Sequence, residues 1–217
     1  PNGHFIKADI SDPDVAAVIF REAKNFHPSL DVLINNAAVQ VAKPLVETTV
    51  EEWDAVIANN LRSVFLASKL AHPLLKAAGE SAIVNVSSVH AVATSANIAS
   101  YAASKGGLLA LTRAMAIEFA ADNIRVNAIL PGAVDTPMLR ASMIRGNMGG
   151  ATIYDRLENL ARKTVNGRIG QPQEIAHAIY FLADNTQSSF MTGQALVVDG
   201  GATARLRELY PQAAAAK

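Results

Sequence analysis

The chain has 217 residues, of which 50% are hydrophobic and only 18% charged, enough for one α/β domain with a substantial core. Nineteen basic residues balance nineteen acidic ones, so the composition gives no bulk argument for binding nucleic acid or an anionic membrane. There is no cysteine, which excludes disulfides and thiolate metal sites, and the five histidines show no metal-ligand spacing. We therefore expect no metal, nucleic-acid or membrane partner.

The first residues carry no targeting signal. Pro1–His4 lacks a basic region followed by an apolar run, so no signal peptide is predicted and a cytoplasmic location is expected. The start also lacks a methionine, and we expect that the chain has been cut or trimmed.

The first part of the chain alternates strands with helices. Phe5–Ile10 reads as a short strand, and Ser11 or Asp12 is placed to cap a helix that begins at Pro13 and runs to about Phe26. A buried strand, Val32–Ile34, follows.

The next helix is capped by Thr48 or Thr49 and runs towards Lys76, with Asn59 and Asn60 among apolar neighbours. The later elements are then predicted in order as a strand, a long helix, a strand, an irregular or helical insert, a helix and a last strand, at 82–86, 100–121, 125–130, 136–168, 172–184 and 195–198. This alternation predicts a single α/β domain over residues 1–217, with helices on both faces of a parallel sheet.

The centre of the chain carries the candidate chemistry. Tyr101 and Lys105 are four residues apart on a predicted helix, so they share one face, and a nearby ammonium favours the phenolate. Ser88 follows the apolar strand that ends at Val86, at the carboxyl edge where open α/β sheets bind ligands. We expect a tyrosine with a lowered pKa that moves protons, next to a serine that holds a substrate oxygen.

In these residues the sequence resembles the short-chain dehydrogenase/reductase family over essentially the whole chain. The resemblance rests on six motifs in the family's order, each modest alone: Asn35–Ala38, Asn59–Leu61, Ser88, Tyr101 with Lys105, Pro131–Gly132 with Thr136, and Asp199–Gly201. It implies a Rossmann-type doubly wound parallel sheet.

Relative to that family, the chain opens at the third strand. The first two strands and the Gly-rich turn between them, about fifty residues, have no counterpart, and no G-x-G-x-x-G run occurs. In the order 3-2-1-4-5-6, the missing strands belong between the Phe5 and Val32 strands. Three explanations are open: the N-terminal part is missing from the sequence, which we favour; the Phe5 strand slides beside the Val32 strand; or this is a natural fragment that needs a partner.

The resemblance implies a role for each catalytic residue. Tyr101 is the general acid/base, Ser88 orients the substrate oxygen, and Lys105 lowers the tyrosine pKa and binds the nicotinamide ribose. Asn60 interrupts its helix and anchors a water beside Lys105, although Asn59 is an alternative match.

The implied cofactor is NAD or NADP. Its expected contacts are Asp9, Ile10, Asn35, Ala37, Tyr101, Lys105, Pro131, Gly132 and Thr136, with Asn35 also bracing the sheet. Simpler roles remain open, because Asp9 could be only an acid near a helix cap and Pro131–Gly132 only a strand-ending turn.

The substrate side is predicted from fewer residues. Ser88, His90 and Tyr101 are expected to contact substrate, and the insert 136–168 to shape its pocket. A serine hydrolase using Ser88 and His90 is a distant alternative, because no nucleophile-elbow pattern surrounds the serine. Met138, Met143 and Met148 are expected to form an adaptable lid rather than a metal or cofactor site.

The leading hypothesis is an NAD(P)-dependent oxidoreductase that interconverts a secondary alcohol and a ketone. The alternative is a catalytically impaired fragment or non-enzymatic scaffold that lacks the pyrophosphate-binding loop. Self-association as a homotetramer or homodimer is expected, because the helix with Asn60 and the helix after Tyr101 have wide apolar faces, the latter formed by Leu108, Leu109, Leu111 and Met115. The segments Ile175–Leu182 and Ala195–Val198 are expected to form a second contact.

Overall fold

The computed structural model describes residues 3–145 and 152–204. Its centre is a parallel sheet of four strands in the order β1–β2–β3–β4. The strands are β1 (Val32–Asn35), β2 (Ser81–Val86), β3 (Ile124–Pro131) and β4 (Ala195–Val198). Because all neighbouring pairs run parallel, every strand presents its carboxyl end at the same edge of the sheet.

Eight α-helices are described around this sheet. They are α1 (Pro13–Phe26), α2 (Val50–Ile57), α3 (Ser63–Ala77), α4 (Ala99–Glu118), α5 (Pro137–Arg145), α6 (Ile153–Ala161), α7 (Pro172–Ala183) and α8 (Asn185–Ser188). A π-helical segment, Ala58–Arg62, joins α2 to α3. Among the described residues, none of the helices combines the length and apolarity needed to cross a membrane.

Helix starts follow the capping residues in the sequence. The Asp12 side chain accepts from the Asp14 amide at the start of α1. Thr49, rather than Thr48, caps α2, in a reciprocal box with Glu52. The long helix α4 stops at Glu118, three residues earlier than predicted. A 3₁₀ turn follows it, and Asn123 then reverses the chain in the left-handed region, with φ of 57°.

The core lies on both faces of the sheet. On one face, Leu75 of α3 and Met115 of α4 pack against Ile83 and Val126. On the other face, Leu182 of α7 packs against Val84 and Ile129, and half-buried apolar side chains of α7 surround this contact. The prediction of a doubly wound α/β sheet is therefore confirmed, and it leaves the carboxyl edge of the strands open.

The predicted strand Phe5–Ile10 is wrong. These residues form no regular structure, and the Phe5 side chain is 86% exposed. An extended segment needs a neighbouring strand to satisfy its backbone groups, and the segment does not pair with β1, so it does not slide into the sheet as one explanation supposed. In the described part of the chain, β1 is an edge strand, and its Ile34 side chain is 46% exposed.

The apolar face proposed for self-association is also wrong as a surface. Leu108, Leu109 and Met115 are buried within the chain, and Leu111 packs partly buried against the same core. The sequence period gave the apolar side of α4 correctly, but that side packs inward onto the sheet and the π-helical segment.

Candidate active site

A large cleft lies at the carboxyl edge of the sheet. It has a volume of about 1910 Å³. Seven of the predicted site residues line it, namely Ser88, His90, Tyr101, Lys105, Pro131, Gly132 and Thr136. The end of β2, the start of α4 and the loop after β3 therefore converge on one space, as expected for a parallel sheet.

Ser88 and Tyr101 meet at the floor of the cleft. Ser88 follows β2 and Tyr101 lies in the first turn of α4, and the serine side chain is close enough to the phenol to act on its pKa. Both are buried, at 7% and 9% exposure. The Ser88 hydroxyl also accepts from the His90 amide, at 3.2 Å, which fixes the serine at the strand end. A hydroxyl and a phenol thus share one place where a substrate oxygen can bind.

Lys105 lies one helical turn beyond Tyr101 and is 2% exposed. Its Nζ donates to the Val86 carbonyl at 2.7 Å and lies 5.7 Å from the centre of the Tyr101 ring. Because burial disfavours the charged amine, the pKa of Lys105 falls from its usual 10.5 to about 8. The amine therefore still carries its proton at neutral pH.

The tyrosine pKa moves opposite to the prediction. Burial raises the pKa of the Tyr101 phenol above its usual value near 10, and the Ser88 side chain opposes this rise only in part. The spacing of Tyr101 and Lys105 in the sequence shows the nearby charge, but it does not show how much water the fold removes from around the phenol. At neutral pH the phenol in this structure is protonated.

Asn60 lies behind the floor rather than in the cleft. It is 1% exposed within the π-helical segment, which confirms the predicted interruption of the helix. Its amide accepts from the Val39 amide and donates to the Val39 carbonyl, at 2.8 and 2.9 Å, and it also donates to Ser104 Oγ at 3.1 Å. Asn59 instead donates to Ala55 in its own helix. The contacts favour Asn60, because only Asn60 connects to the helix that carries Tyr101.

His90 lies beside the phenol. Its ring meets the Tyr101 ring edge to face, with centres 6.0 Å apart, and its Nδ1 lies 3.3 Å from Thr94 Oγ1. Burial lowers the pKa of His90, so the imidazole is neutral at neutral pH. The His90 Nδ1 therefore faces Thr94 and not the Ser88 hydroxyl. This arrangement does not favour the serine-hydrolase alternative.

The loop after β3 has a structural role in addition to its predicted role in binding the cofactor. A Cβ on Gly132 would lie 2.7 Å from the Asp199 Cβ, so only glycine fits between β3 and the end of β4. The Thr136 hydroxyl accepts from the Leu139 amide at the start of α5. Both residues also line the cleft, so the turn and the predicted ligand loop are the same segment.

Four predicted cofactor residues do not line the cleft: Asp9, Ile10, Asn35 and Ala37. The Asp9 carboxylate accepts from the amide and hydroxyl of Ser11, which lowers its pKa. Asn35 donates to Asn85 Oδ1 at 2.8 Å and so braces β1 against β2, as predicted.

Several lining residues were not predicted. Asn36 and Ala38, the neighbours of Ala37, face the cleft, because the side chains at the end of β1 alternate between its two sides. The loop 93–97 also lines the cleft, and its Asn97 has φ of 66°. One face of α6 lines the cleft at a helical spacing of three and four residues, and this spacing was the available signal in the sequence. Met138 lines the cleft, Met143 is fully buried, and Met148 lies outside the described residues.

Comparison with known proteins shows the family of the chain. A family model described as "Enoyl-(Acyl carrier protein) reductase" matches residues 1–203. The curated cis-4-hydroxycyclohexanecarboxylate dehydrogenase of Sinomonas cyclohexanicum is 43% identical over 202 residues, which cover 92% of this chain and 76% of that protein. The chain therefore belongs to the short-chain dehydrogenase/reductase family, and it is an oxidoreductase of the kind that acts on CH–OH groups.

Solved structures show the same fold. The ligand-free aldohexose dehydrogenase of Thermoplasma acidophilum superposes with a TM-score of 0.88 at 32% identity, covering 95% of this chain and 81% of that one. A gluconate 5-dehydrogenase from Burkholderia cenocepacia, solved with NADP and tartrate, gives a TM-score of 0.82 at 31% identity, covering 91% and 74% of the two chains.

Proposed function

We propose that this protein interconverts a secondary alcohol and a ketone by hydride exchange with NAD or NADP, using Ser88, Tyr101 and Lys105. The observation that carries the proposal is the convergence of these three side chains on one cleft, with the serine beside the phenol. Because the relative from Sinomonas acts, by its name, on a ring alcohol, ring alcohols are the first substrates to assay.

Tyr101 moves the proton. In reduction the protonated phenol donates its hydrogen to the carbonyl oxygen as the hydride adds to carbon, and in oxidation the phenolate takes the hydroxyl proton as the hydride leaves. A pKa raised by burial keeps the phenol protonated at neutral pH, which favours its role as a donor. The Ser88 hydroxyl holds the substrate oxygen beside the phenol, at the place where the two side chains meet.

Lys105 stabilises the phenolate that remains once the proton has left. Its Nζ lies 5.7 Å from the ring centre in a buried setting, where one positive charge has a strong effect on a neighbouring anion. A pKa of about 8 keeps most of the amine charged at pH 7. Asn60 acts by position, because it holds Ser104 in the turn of α4 that connects Tyr101 to Lys105. The water that we predict beside Lys105 would complete a proton relay.

The residues present fit a nicotinamide cofactor. One of the three N–H groups of Lys105 donates to the Val86 carbonyl, which leaves two donors for a ribose. Pro131, Gly132 and Thr136 line the same cleft, while Asp9, Ile10, Asn35 and Ala37 remain predicted contacts of the adenosine part. When bound, the cofactor would accept or supply the hydride.

The test is Tyr101→Phe in the full chain. We expect kcat for alcohol oxidation to fall about 10³-fold, because the general acid/base is lost, while dinucleotide binding measured by calorimetry is unchanged. Tyr154→Phe is the matched control, because this tyrosine is 76% exposed and does not line the cleft. Full activity in the Tyr101→Phe variant would reject the proposed role.

Two expectations stay predictions. Assembly as a homotetramer or homodimer rests on the family resemblance and on the other predicted surfaces, because Leu108, Leu109 and Met115 are internal while Tyr180 and Val197 are 65% and 43% exposed. A cytoplasmic location likewise rests on the sequence.

A further inference from the structure

The part of the chain that covers the cleft differs in charge from the rest. The described residues of this cover, 136–145 and 152–168, contain six basic and two acidic residues, although the whole chain has nineteen of each. Helices α5 and α6 of this segment line the cleft through Met138, Leu139 and the inner face of α6. A cleft covered by a positively charged segment attracts anions, because low-dielectric walls concentrate the field.

The acidic groups of the covering segment and its neighbours are already engaged. Asp135 binds Arg140 through both oxygens, and Glu158 binds Arg162 at 2.6 Å. Asp155 caps α6 through Thr152. Arg162 also lines the cleft, and Glu158 offsets its charge there, while Asp135 offsets Arg140 and Asp155 accepts from Thr152.

The inner face of α6 carries two basic side chains, Arg156 and Lys163. Arg156, Asn159, Leu160 and Lys163 follow one another at three- and four-residue spacing and all line the cleft. Arg156 donates to the Met143 carbonyl, which ties α6 to α5. Lys163 follows directly after α6, where its amide bonds the Leu160 carbonyl, and no carboxylate of the described residues pairs with its ammonium.

The one acidic residue among the described cleft-lining side chains is remote from this face. Asp184 follows the end of α7, a helix of 12 residues that starts beside the covering segment and is about 18 Å long at 1.5 Å per residue. Its carboxylate accepts from Thr186 and Gln187 at the start of α8. It therefore does not offset the charge beside α6.

We propose that the substrate is a hydroxy acid or keto acid whose carboxylate is bound by Lys163, with Arg156 on the same helix face. The oxygen that reacts lies at Ser88 and Tyr101, so the inference rests on the proposed function. The same cation could instead serve a phosphate of the dinucleotide, and the experiments separate these two anions.

The kinetic test compares two ring alcohols that differ only in charge, 4-hydroxycyclohexanecarboxylate and its carboxamide. We expect the wild-type chain to favour the carboxylate in kcat/KM by at least about tenfold, the order of one charge-assisted hydrogen bond. Lys163→Gln should reduce this preference about tenfold. Arg113→Gln, a charge-matched change at an exposed position of α4 outside the cleft, should leave the preference unchanged.

Binding is measured separately from turnover. In calorimetry, cyclohexanecarboxylate should bind the wild-type chain about tenfold more tightly than cyclohexanecarboxamide, and Lys163→Gln should remove this difference while leaving the affinity for NAD and NADP unchanged. If the variant instead loses dinucleotide affinity and keeps the carboxylate preference, Lys163 serves the cofactor and the inference is wrong.

The two proposals fail in different ways. Equal turnover of the carboxylate and the carboxamide by the wild-type chain overturns the carboxylate site and leaves the alcohol–ketone function standing. Absence of hydride transfer with any secondary alcohol overturns the function, and the binding comparison then still decides whether the carboxylate site exists.

Discussion

The floor of the cleft and its cover are built from opposite kinds of polar contact. The floor and the layer directly behind it contain buried side chains that bond to one another or to the backbone, namely Asn85, Ser87, Ser104, Lys105 and Thr112. The cover, residues 136–145 and 152–170, instead carries exposed ion pairs, such as Arg140 with Asp135 and Arg162 with Glu158.

This difference indicates which part of the site can vary. Removing one partner of a buried hydrogen bond leaves the other without water, so the floor is held in one geometry. Exposed ion pairs contribute little and rearrange easily. The proposed reacting groups therefore lie on the floor, where substitutions are tolerated least. The cover, which would contact the substrate, tolerates substitutions best.

The substitution with the largest expected effect on the floor is Lys105→Met. We expect a loss of activity of at least about 10²-fold, because the phenolate of Tyr101 loses its neighbouring charge. Stability should rise at the same time. Holding a charged amine whose pKa is about 8 instead of 10.5 costs roughly 3 kcal/mol at pH 7, against about 1 kcal/mol for the lost bond to Val86.

The pH dependence checks the sign of this effect. Between pH 8 and 10.5 the unfolded chain binds more protons at Lys105 than the folded chain, so the wild-type protein gains stability from this group as pH rises. Urea unfolding should therefore show the variant about 2 kcal/mol more stable at pH 7, with a smaller gap at pH 10. A gap that grows with pH would contradict the assignment.

A smaller effect is expected from Asn85→Ala, in the buried layer behind the floor. Asn85 is fully buried, accepts from Asn35 and donates to Thr112, so the change removes the partner of the half-buried Asn35 amide and one of the two hydrogen bonds of the buried Thr112 hydroxyl. We expect a loss of about 2–4 kcal/mol in urea unfolding. Asn59→Ala is the control and should stay within about 0.5 kcal/mol, since that side chain bonds only its own helix. Equal losses in both variants would remove the distinction between the floor and its surroundings.

The smallest expected effect is Arg140→Gln in the cover. Arg140 binds Asp135 through two short contacts, but both groups lie at the surface. The urea midpoint should stay within experimental error, while the lowered pKa of Asp135, which depends first on Arg140, should return towards its ordinary value. NMR titration of the carboxylate measures this return. A clear loss of stability would show that the cover is as rigid as the floor.

Much of this site was predictable where local chemistry decides the outcome. The boundary of β4 and the two helix caps, each narrowed to two neighbouring residues, depend on local sequence. The interruption at Asn60 followed from the family resemblance. The convergence of Ser88, Tyr101 and Lys105 followed from strand and helix periodicity together with the family resemblance.

The failures have a common physical cause, which is that the outcome depends on residues distant in sequence. The Phe5 segment has strand-like residues but no described strand beside it. The direction of the Tyr101 pKa depends on how much water the folded chain removes from the phenol. The inward side of Leu108 and Met115 depends on what α4 packs against.

Asn60 grips both main-chain polar groups of Val39, much as an adjoining strand would, and its amide reaches the Tyr101 carbonyl through a single serine. The loop that leaves β1 is thus tied to the helical turn bearing the phenol by three hydrogen bonds in series. The length of that loop is consequently under constraint from the proposed catalysis, although Val39 is not among the residues that line the cleft. Redesign of the loop to alter ligand preference would have to preserve the spacing from Asn35 to Val39, or Tyr101, the proposed proton donor, would be displaced.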